Sequence, residues 1–147
     1  QVVMATAWQE TCFRQFIVDD EKLTFIRSYN NTSVGLMQIN ERVWRGMYNI
    51  QHLRWNIRYN AEAGIDILDN YFTKYALPNS RTVTSLGKDG LAACIYAMYN
   101  GGPSQFSGYL KRRQTGRYYK TDKHFKEKYN WVKNNQWERL SKCLIGK

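Results

Sequence analysis

The sequence predicts a mainly α-helical, bundle-like domain with one small β-ribbon near residues 23–39. Three observations predict it. Ala61, Ile65, Leu68, Phe72 and Tyr75 recur at helical spacing. Leu23 to Tyr29 is instead rich in β-branched and aromatic residues, and Asn30-Asn31 supplies a turn before Ser33 to Ile39. The chain has 147 residues, 43% hydrophobic and 23% charged, which suits one soluble globular domain over 1–147. No run approaches the roughly 18 apolar residues of a membrane span. Gln1 to Ala5 lacks the basic region of a signal peptide, and the chain opens almost inside its first helix. We therefore expect a domain cut from a longer chain.

In order, residues 1–12 read as a helix with Val2, Val3, Ala5, Trp8 and Cys12 available for packing. Glu10 falls near its C-terminal end, where the helix dipole disfavours a carboxylate and raises its pKa. Its neighbours Trp8, Cys12 and Phe13 are apolar, and no Lys or Arg stands within three residues on either side. Phe13, Phe16 and Ile17 pack or lead the chain outward. Asp19 to Lys22 reads as an exposed turn before the ribbon. Asn40 to Met47 reads as a short helix with Val43, Trp44 and Met47 on one side, and 49–59 as a connection. The helix carrying Ala61 to Tyr75 closes at Pro78-Asn79-Ser80, and 79–88 reads as a polar loop.

Asp89 is the expected cap of the next helix, with Leu91, Ile95 and Met98 on one face and Gly101-Gly102-Pro103 as its stop. Ser104 caps a short helix with Phe106, Tyr109 and Leu110, broken at Gln114-Thr115-Gly116. Thr121 caps a helix with Phe125, Tyr129 and Val132 inward and lysines outward. Trp137, Leu140 and Leu144 read as a last helix.

Charge is unevenly spread. Residues 1–110 hold 10 Lys+Arg and 9 Asp+Glu, whereas 111–147 hold 12 and 3. A basic face over 111–147, including Lys111, Arg112 and Arg113, favours polyanions, and its bland alternative is a solvated helical surface. The three cysteines, Cys12, Cys94 and Cys143, allow one disulfide and one free thiol or three buried thiols, and sequence does not choose a pair. They lack zinc-site spacing, and His52 and His124 stand far apart, so no metal and no cofactor is expected.

The chemistry is concentrated in four short motifs. Gly35-Leu36-Met37-Gln38-Ile39-Asn40 places one Gln among apolar neighbours, where a buried amide needs a hydrogen-bond partner. Taken alone it reads as a strand end with the Gln satisfied by backbone. Glu10-Thr11 precedes it. Asn60-Ala61-Glu62-Ala63-Gly64-Ile65-Asp66-Ile67-Leu68 and Met98-Tyr99-Asn100-Gly101-Gly102 come after it.

In that order the four motifs resemble the lytic transglycosylases of the goose-lysozyme-like superfamily, over about residues 4–103. The resemblance implies a lysozyme-like fold. It also implies cleavage of the β-1,4 bond between N-acetylmuramic acid and N-acetylglucosamine, with a 1,6-anhydro product. It assigns Glu10 as general acid and base. It assigns Thr11, Met37, Gln38, Tyr99 and Asn100 to substrate binding, with Thr11 standing where the family has Ser. The extended segment between Glu10 and Gly35 departs toward lysozyme architecture, and Tyr118-Tyr119-Lys120-Thr121 departs from the family's later Glu-Thr and Tyr-Val segment.

Two other readings compete. A lysozyme-like hydrolase would use a second carboxylate, for which Asp19, Asp20 and Glu21 are the candidates, although they read better as a solvated turn. A non-catalytic module would bind nucleic acid or an anionic wall polymer through 111–147, where Tyr118, Tyr119, Phe125, Tyr129 and Trp131 interleave with basic residues. The preferred reading expects peptidoglycan strands as partner and acidic wall polymers along 111–147. It expects no nucleic acid, a monomer, and a periplasmic, cell-envelope or secreted location in a bacterium.

Overall fold

Thr11 ends the first helix against two left-handed residues. In the computed structural model, which describes residues 1–145, α1 spans Val2–Thr11. Cys12 (φ 54°) and Phe13 (φ 60°) then turn the chain toward the first strand. The Cys12 and Phe13 N–H groups donate back to the Trp8 and Ala7 carbonyls at 3.0 and 3.3 Å. Left-handed non-glycine residues cost about 1–3 kcal/mol each and need support from their surroundings. Support comes from the Cys12–Cys143 disulfide and from Arg14, whose Nε donates to the Thr11 carbonyl at 3.1 Å. Of the pairings that the sequence left open, this disulfide is the one formed. Cys94 is a buried free thiol.

The chain divides into two compact units. One, the ribbon unit, holds Thr6–Asp66 and the chain from Glu138 onward. The other, the helical unit, holds Gln1–Ala5 and Ile67–Trp137.

The ribbon unit carries two small antiparallel sheets. Strands β1 (Phe16–Asp19) and β2 (Lys22–Phe25) pair with Asp19 opposite Lys22. Asp20 (φ 45°) and Glu21 (φ 62°) form the two-residue loop, both left-handed as a type I′ turn requires. Strands β3 (Ser33–Val34) and β4 (Ile39–Asn40) form the second sheet. The expected ribbon over 23–39 is present as an antiparallel bridge between Arg27 and Val34 beside the β3–β4 sheet, and a second hairpin precedes it. Leu23 to Phe25 pairs backward with Phe16 to Val18, because the tight turn at Asp20-Glu21 closes the nearer hairpin first. Phe16 and Phe25 both pack on Trp55, at 6.1 and 5.2 Å between ring centroids.

The helix expected over Asn40 to Met47 is absent: Asn40 ends β4, and Glu41 to Met47 is a run of turns. The Asn40 side chain accepts the Arg42 and Val43 N–H groups at 3.0 and 3.1 Å, and such local bonds compete with helix. Val43 and Met47 are 66% and 68% exposed, so their helical spacing serves no buried face. The expected connection over 49–59 instead holds α2 (Ile50–Trp55), capped by Asn49, whose side chain accepts the His52 N–H.

Helix α3 (Ile57–Tyr71) continues through a π turn, Phe72–Ala76. Its buried stripe is Asn60, Ala63, Gly64, Ile67, Leu68 and Tyr71, while Ile65 is 44% exposed. The apolar pattern is out of phase with burial because the stripe begins on a polar residue.

In the helical unit, 79–88 is not a loop throughout. Helix α4 (Ser80–Thr84) lies there, anchored by buried Val83. Helix α5 (Gly87–Gly101) is the unit's centre, with every residue from Ala92 to Met98 buried. It starts two residues before Asp89, whose carboxylate binds Lys133 at 2.8 Å rather than capping. Gly102 (φ 87°) stops it, donating to the Met98 carbonyl at 2.7 Å.

Helix α6 (Gln105–Thr115) comes directly after Ser104, whose side chain makes no cap bond. Helix α7 (Lys120–Lys133) starts one residue before Thr121. Its N-cap is Tyr119, whose N–H donates to the Asp122 carboxylate at 2.8 Å in a capping box. Phe125 stacks on Tyr96 at 4.2 Å and nearly parallel. Arg112 corrects the surface reading of the basic stretch. It is 7% exposed, and Nε and Nη2 bind the Asp122 carboxylate at 2.7 and 3.0 Å. Its guanidinium lies 3.9 Å from the Tyr119 ring centroid.

The last segment, in the ribbon unit from Glu138 on, is a 3-10 turn, Trp137–Leu140, then α8 (Ser141–Ile145), rather than one helix.

Candidate active site

The Gly35-to-Gln38 turn joins β3 to β4, and it is held by side chains from α1, α3 and the link before β1. Asn60, fully buried on α3, accepts the Met37 N–H at 2.8 Å and donates to the Val34 and Leu53 carbonyls, both at 2.9 Å. Gln15, 2% exposed, accepts the Leu36 N–H at 2.7 Å and donates to the Leu53 and Arg54 carbonyls at 2.9 and 2.8 Å. Thr11 donates its hydroxyl to the Leu36 carbonyl at 2.7 Å. The Leu36 and Met37 N–H groups and the Leu36 carbonyl belong to the turn, and the Leu53 and Arg54 carbonyls lie in the last turn of α2, which leaves carbonyls without intrahelical partners.

Gly35 is required here. Its φ is +76°, and a Cβ would overlap the Asn60 amide and come within 2.7 Å of the Gln15 amide. Gly64 is a second close approach, since a Cβ there would fall 2.6 Å from the Met37 side chain. Asn60 and Gly64 stand four apart on α3, so one helix face grips the turn twice.

Two of the expected sugar contacts have partners within the protein. Met37 is 1% exposed and packs under Gly64. Thr11 is 5% exposed, and its hydroxyl binds the Leu36 carbonyl. Both residues position the turn. Gln38 is half-buried with φ 48°, and its Nε2 donates to the Gly35 carbonyl at 2.9 Å. That bond is the backbone satisfaction that the hexapeptide alone suggests.

Glu10 is half-buried, one residue before Thr11 on α1. The Thr11 bond therefore ties the helix end that carries Glu10 to the turn that carries Gln38, within the ribbon unit. Trp8 is 1% exposed and packs 5.9 Å from Phe13. Arg14, four residues beyond Glu10, folds back on the helix end. A guanidinium there opposes the negative end of the helix dipole. Asp19, Asp20 and Glu21 are exposed at the tip of the β1–β2 hairpin.

Tyr99 and Asn100 lie in the last turn of α5, half-buried and exposed respectively, just before the Gly102 stop. They belong to the helical unit.

Sequence reading misses Gln15 and gives Asn60 no role. Asn60 is visible as the first residue of its motif. Gln15 carries no local signal.

With this geometry the motifs fall into one class, a mainly helical scaffold with a glycine turn clamped beside a helix-borne glutamate. The chain belongs to the Transglycosylase SLT domain family, whose family model matches residues 1–122. No curated protein and no solved structure matches the chain. The family implies lytic transglycosylase activity on peptidoglycan, and the fold is the lysozyme-like one of that family.

Proposed function

We propose that the chain is a single lysozyme-like domain that cleaves the β-1,4 bond between N-acetylmuramic acid and N-acetylglucosamine with Glu10 as its only acid. Glu10 gives its proton to the glycosidic oxygen as the C1–O bond breaks. The acetamido oxygen of the same sugar closes on C1. Ionised Glu10 then takes the proton of the 6-hydroxyl, whose oxygen displaces the acetamido group and forms the 1,6-anhydro ring. No water is consumed. The observation that carries this reading is the Thr11–Leu36 hydrogen bond, which joins the Glu10 helix end to the Gly35–Gln38 turn. Gln38 is assigned to the N-acetyl sugar, and Tyr99 and Asn100 to substrate binding, on their places in the family motifs.

The hairpin tip supports this over hydrolysis. Asp20 and Glu21 are accounted for as an exposed type I′ turn, which needs no catalytic role. A disulfide favours an oxidising compartment, so the periplasm, cell envelope or exterior of a bacterium is the proposed location. Among the described residues, no helix is long and apolar enough to cross a membrane.

Mass spectrometry of digested peptidoglycan tests the reaction class. Anhydro-muramyl ends are expected. Reducing muramyl ends would replace this reading with the hydrolase, and intact strands would favour the non-catalytic binding module.

A further inference from the structure

The helical unit holds a cavity of about 520 Å³. Three helices line it with residues at helical spacing: Gly90 and Ala93 on α5, Tyr109 and Arg113 on α6, Lys123 and Lys126 on α7. The hollow exists because α5 is small-sided here, and a Cβ at Gly90 would fall 2.6 Å from Arg113 Nη1. Arg113 is also held by a side-chain hydrogen bond with Tyr109. Gly90 lies nine residues before Tyr99 on the same helix, about 14 Å along its axis. The cavity is therefore separate from the motif that ends α5.

Three acids and three cations line it, and each acid is already engaged by a cation outside the lining. Asp122 is bound by Arg112, Asp89 by Lys133 at 2.8 Å, and Glu127 by Lys128 at 3.6 Å. Arg113, Lys123 and Lys126 form no ion pair with a carboxylate among the described residues. Tyr118, 36% exposed, lines the same space, which leaves an apolar wall beside a guanidinium fork and two ammonium groups. Ligand sites commonly combine about 300–1,000 Å³ of mostly apolar space with a few converging polar groups.

We propose that this cavity binds a phosphate monoester carried on a ring or other apolar body. Three uncompensated cations match a phosphate, with nearly two negative charges at pH 7, better than a carboxylate with one. Arg113 supplies the fork that suits phosphate oxygens. The apolar wall takes the body.

The test is titration of the full chain with phenyl phosphate, benzoate and inorganic phosphate, monitored by NMR of the backbone amides. Phenyl phosphate should bind saturably and perturb Ala93 and Lys126, with benzoate and inorganic phosphate each at least about tenfold weaker. Arg113→Gln should weaken phenyl phosphate about tenfold or more, as loss of a charge-assisted bond predicts. Lys74→Gln, an exposed lysine outside the cavity, should stay within about twofold. Gly90→Leu should abolish binding by filling the space, and if it fails to fold, Arg113→Gln decides. Absence of saturation at millimolar concentrations, equal loss in Lys74→Gln, or no loss in Arg113→Gln would overturn the proposal.

Discussion

Replacing Asn60 by alanine removes the grip of α3 on the Gly35–Gln38 turn. Asn60 is fully buried and makes three hydrogen bonds to backbone. The Leu53 carbonyl keeps Gln15 as a donor. The Met37 N–H and the Val34 carbonyl lose their bonds to the amide. Each hydrogen bond lost by a buried backbone group costs about 1–3 kcal/mol, and the lost side-chain volume adds to this. The expected loss is about 3–5 kcal/mol, a large share of the roughly 5–15 kcal/mol that holds a typical domain together. For a chain of this length it corresponds to about 10 °C in Tm. Urea unfolding without reductant measures it. Asn60→Asp sharpens the test. One carboxylate oxygen can still accept from Met37, but the other faces two carbonyls, so the folded state favours the protonated acid. Its pKa then rises above the unfolded value of about 3.9, and the variant loses stability as pH climbs from about 4 toward neutrality. A loss below about 1 kcal/mol for Asn60→Ala, or a pH-independent Asn60→Asp, would refute the clamp.

Arg112→Met leaves the Asp122 carboxylate buried without its ion-pair partner and should cost about 3–5 kcal/mol in urea unfolding, while neutralising exposed Lys111 should cost under about 0.5. Glu41 is held below its usual 4.5 chiefly by its hydrogen bond from Arg54. Its stabilising contribution, about 1 kcal/mol because the pair is partly solvated, is present above pH 4.5 and lost as pH falls through the depressed value. The stability gap between the wild type and Glu41→Gln should therefore close in acid. Burial pushes the Cys94 thiol up to about 11, so iodoacetamide at pH 8 should leave it unmodified until denaturant is added.

The features legible in the sequence are those that local chemistry dictates. The end of α5 at Gly101-Gly102, the exposed turn at Asp19 to Lys22 and the helical placement of Glu10 each depend on neighbours in the chain. The failures share a cause. Val43 and Met47 keep helical spacing without burial, so periodicity alone misleads. The α3 stripe begins at Asn60, a residue that an apolar count skips. Ser80 to Thr84 is polar apart from Val83, so its helix carries no amphipathic signal. Arg112 cannot be told from its basic neighbours by composition, because its burial depends on Asp122 ten residues on. Gln15 reaches 21 residues to Leu36 and 38 to Leu53, and nothing in its own neighbourhood points there. In the site, the turn and the acid are legible as motifs. The burial of Thr11 and Met37 is not, because sequence shows that two residues belong to one motif without showing which of them faces inward.

The most direct measurement of the central claim is turnover of Glu10→Gln on purified peptidoglycan, with urea unfolding as a folding check. The substitution keeps the size of the side chain and removes its proton. With one group serving as both acid and base, the expected loss is about three orders of magnitude or more, at unchanged or slightly higher stability. Asp19→Asn combined with Asp20→Asn should cost less than about tenfold. Substantial activity in Glu10→Gln, with turnover abolished in the double variant, would contradict the assignment of Glu10 and the one-carboxylate route together.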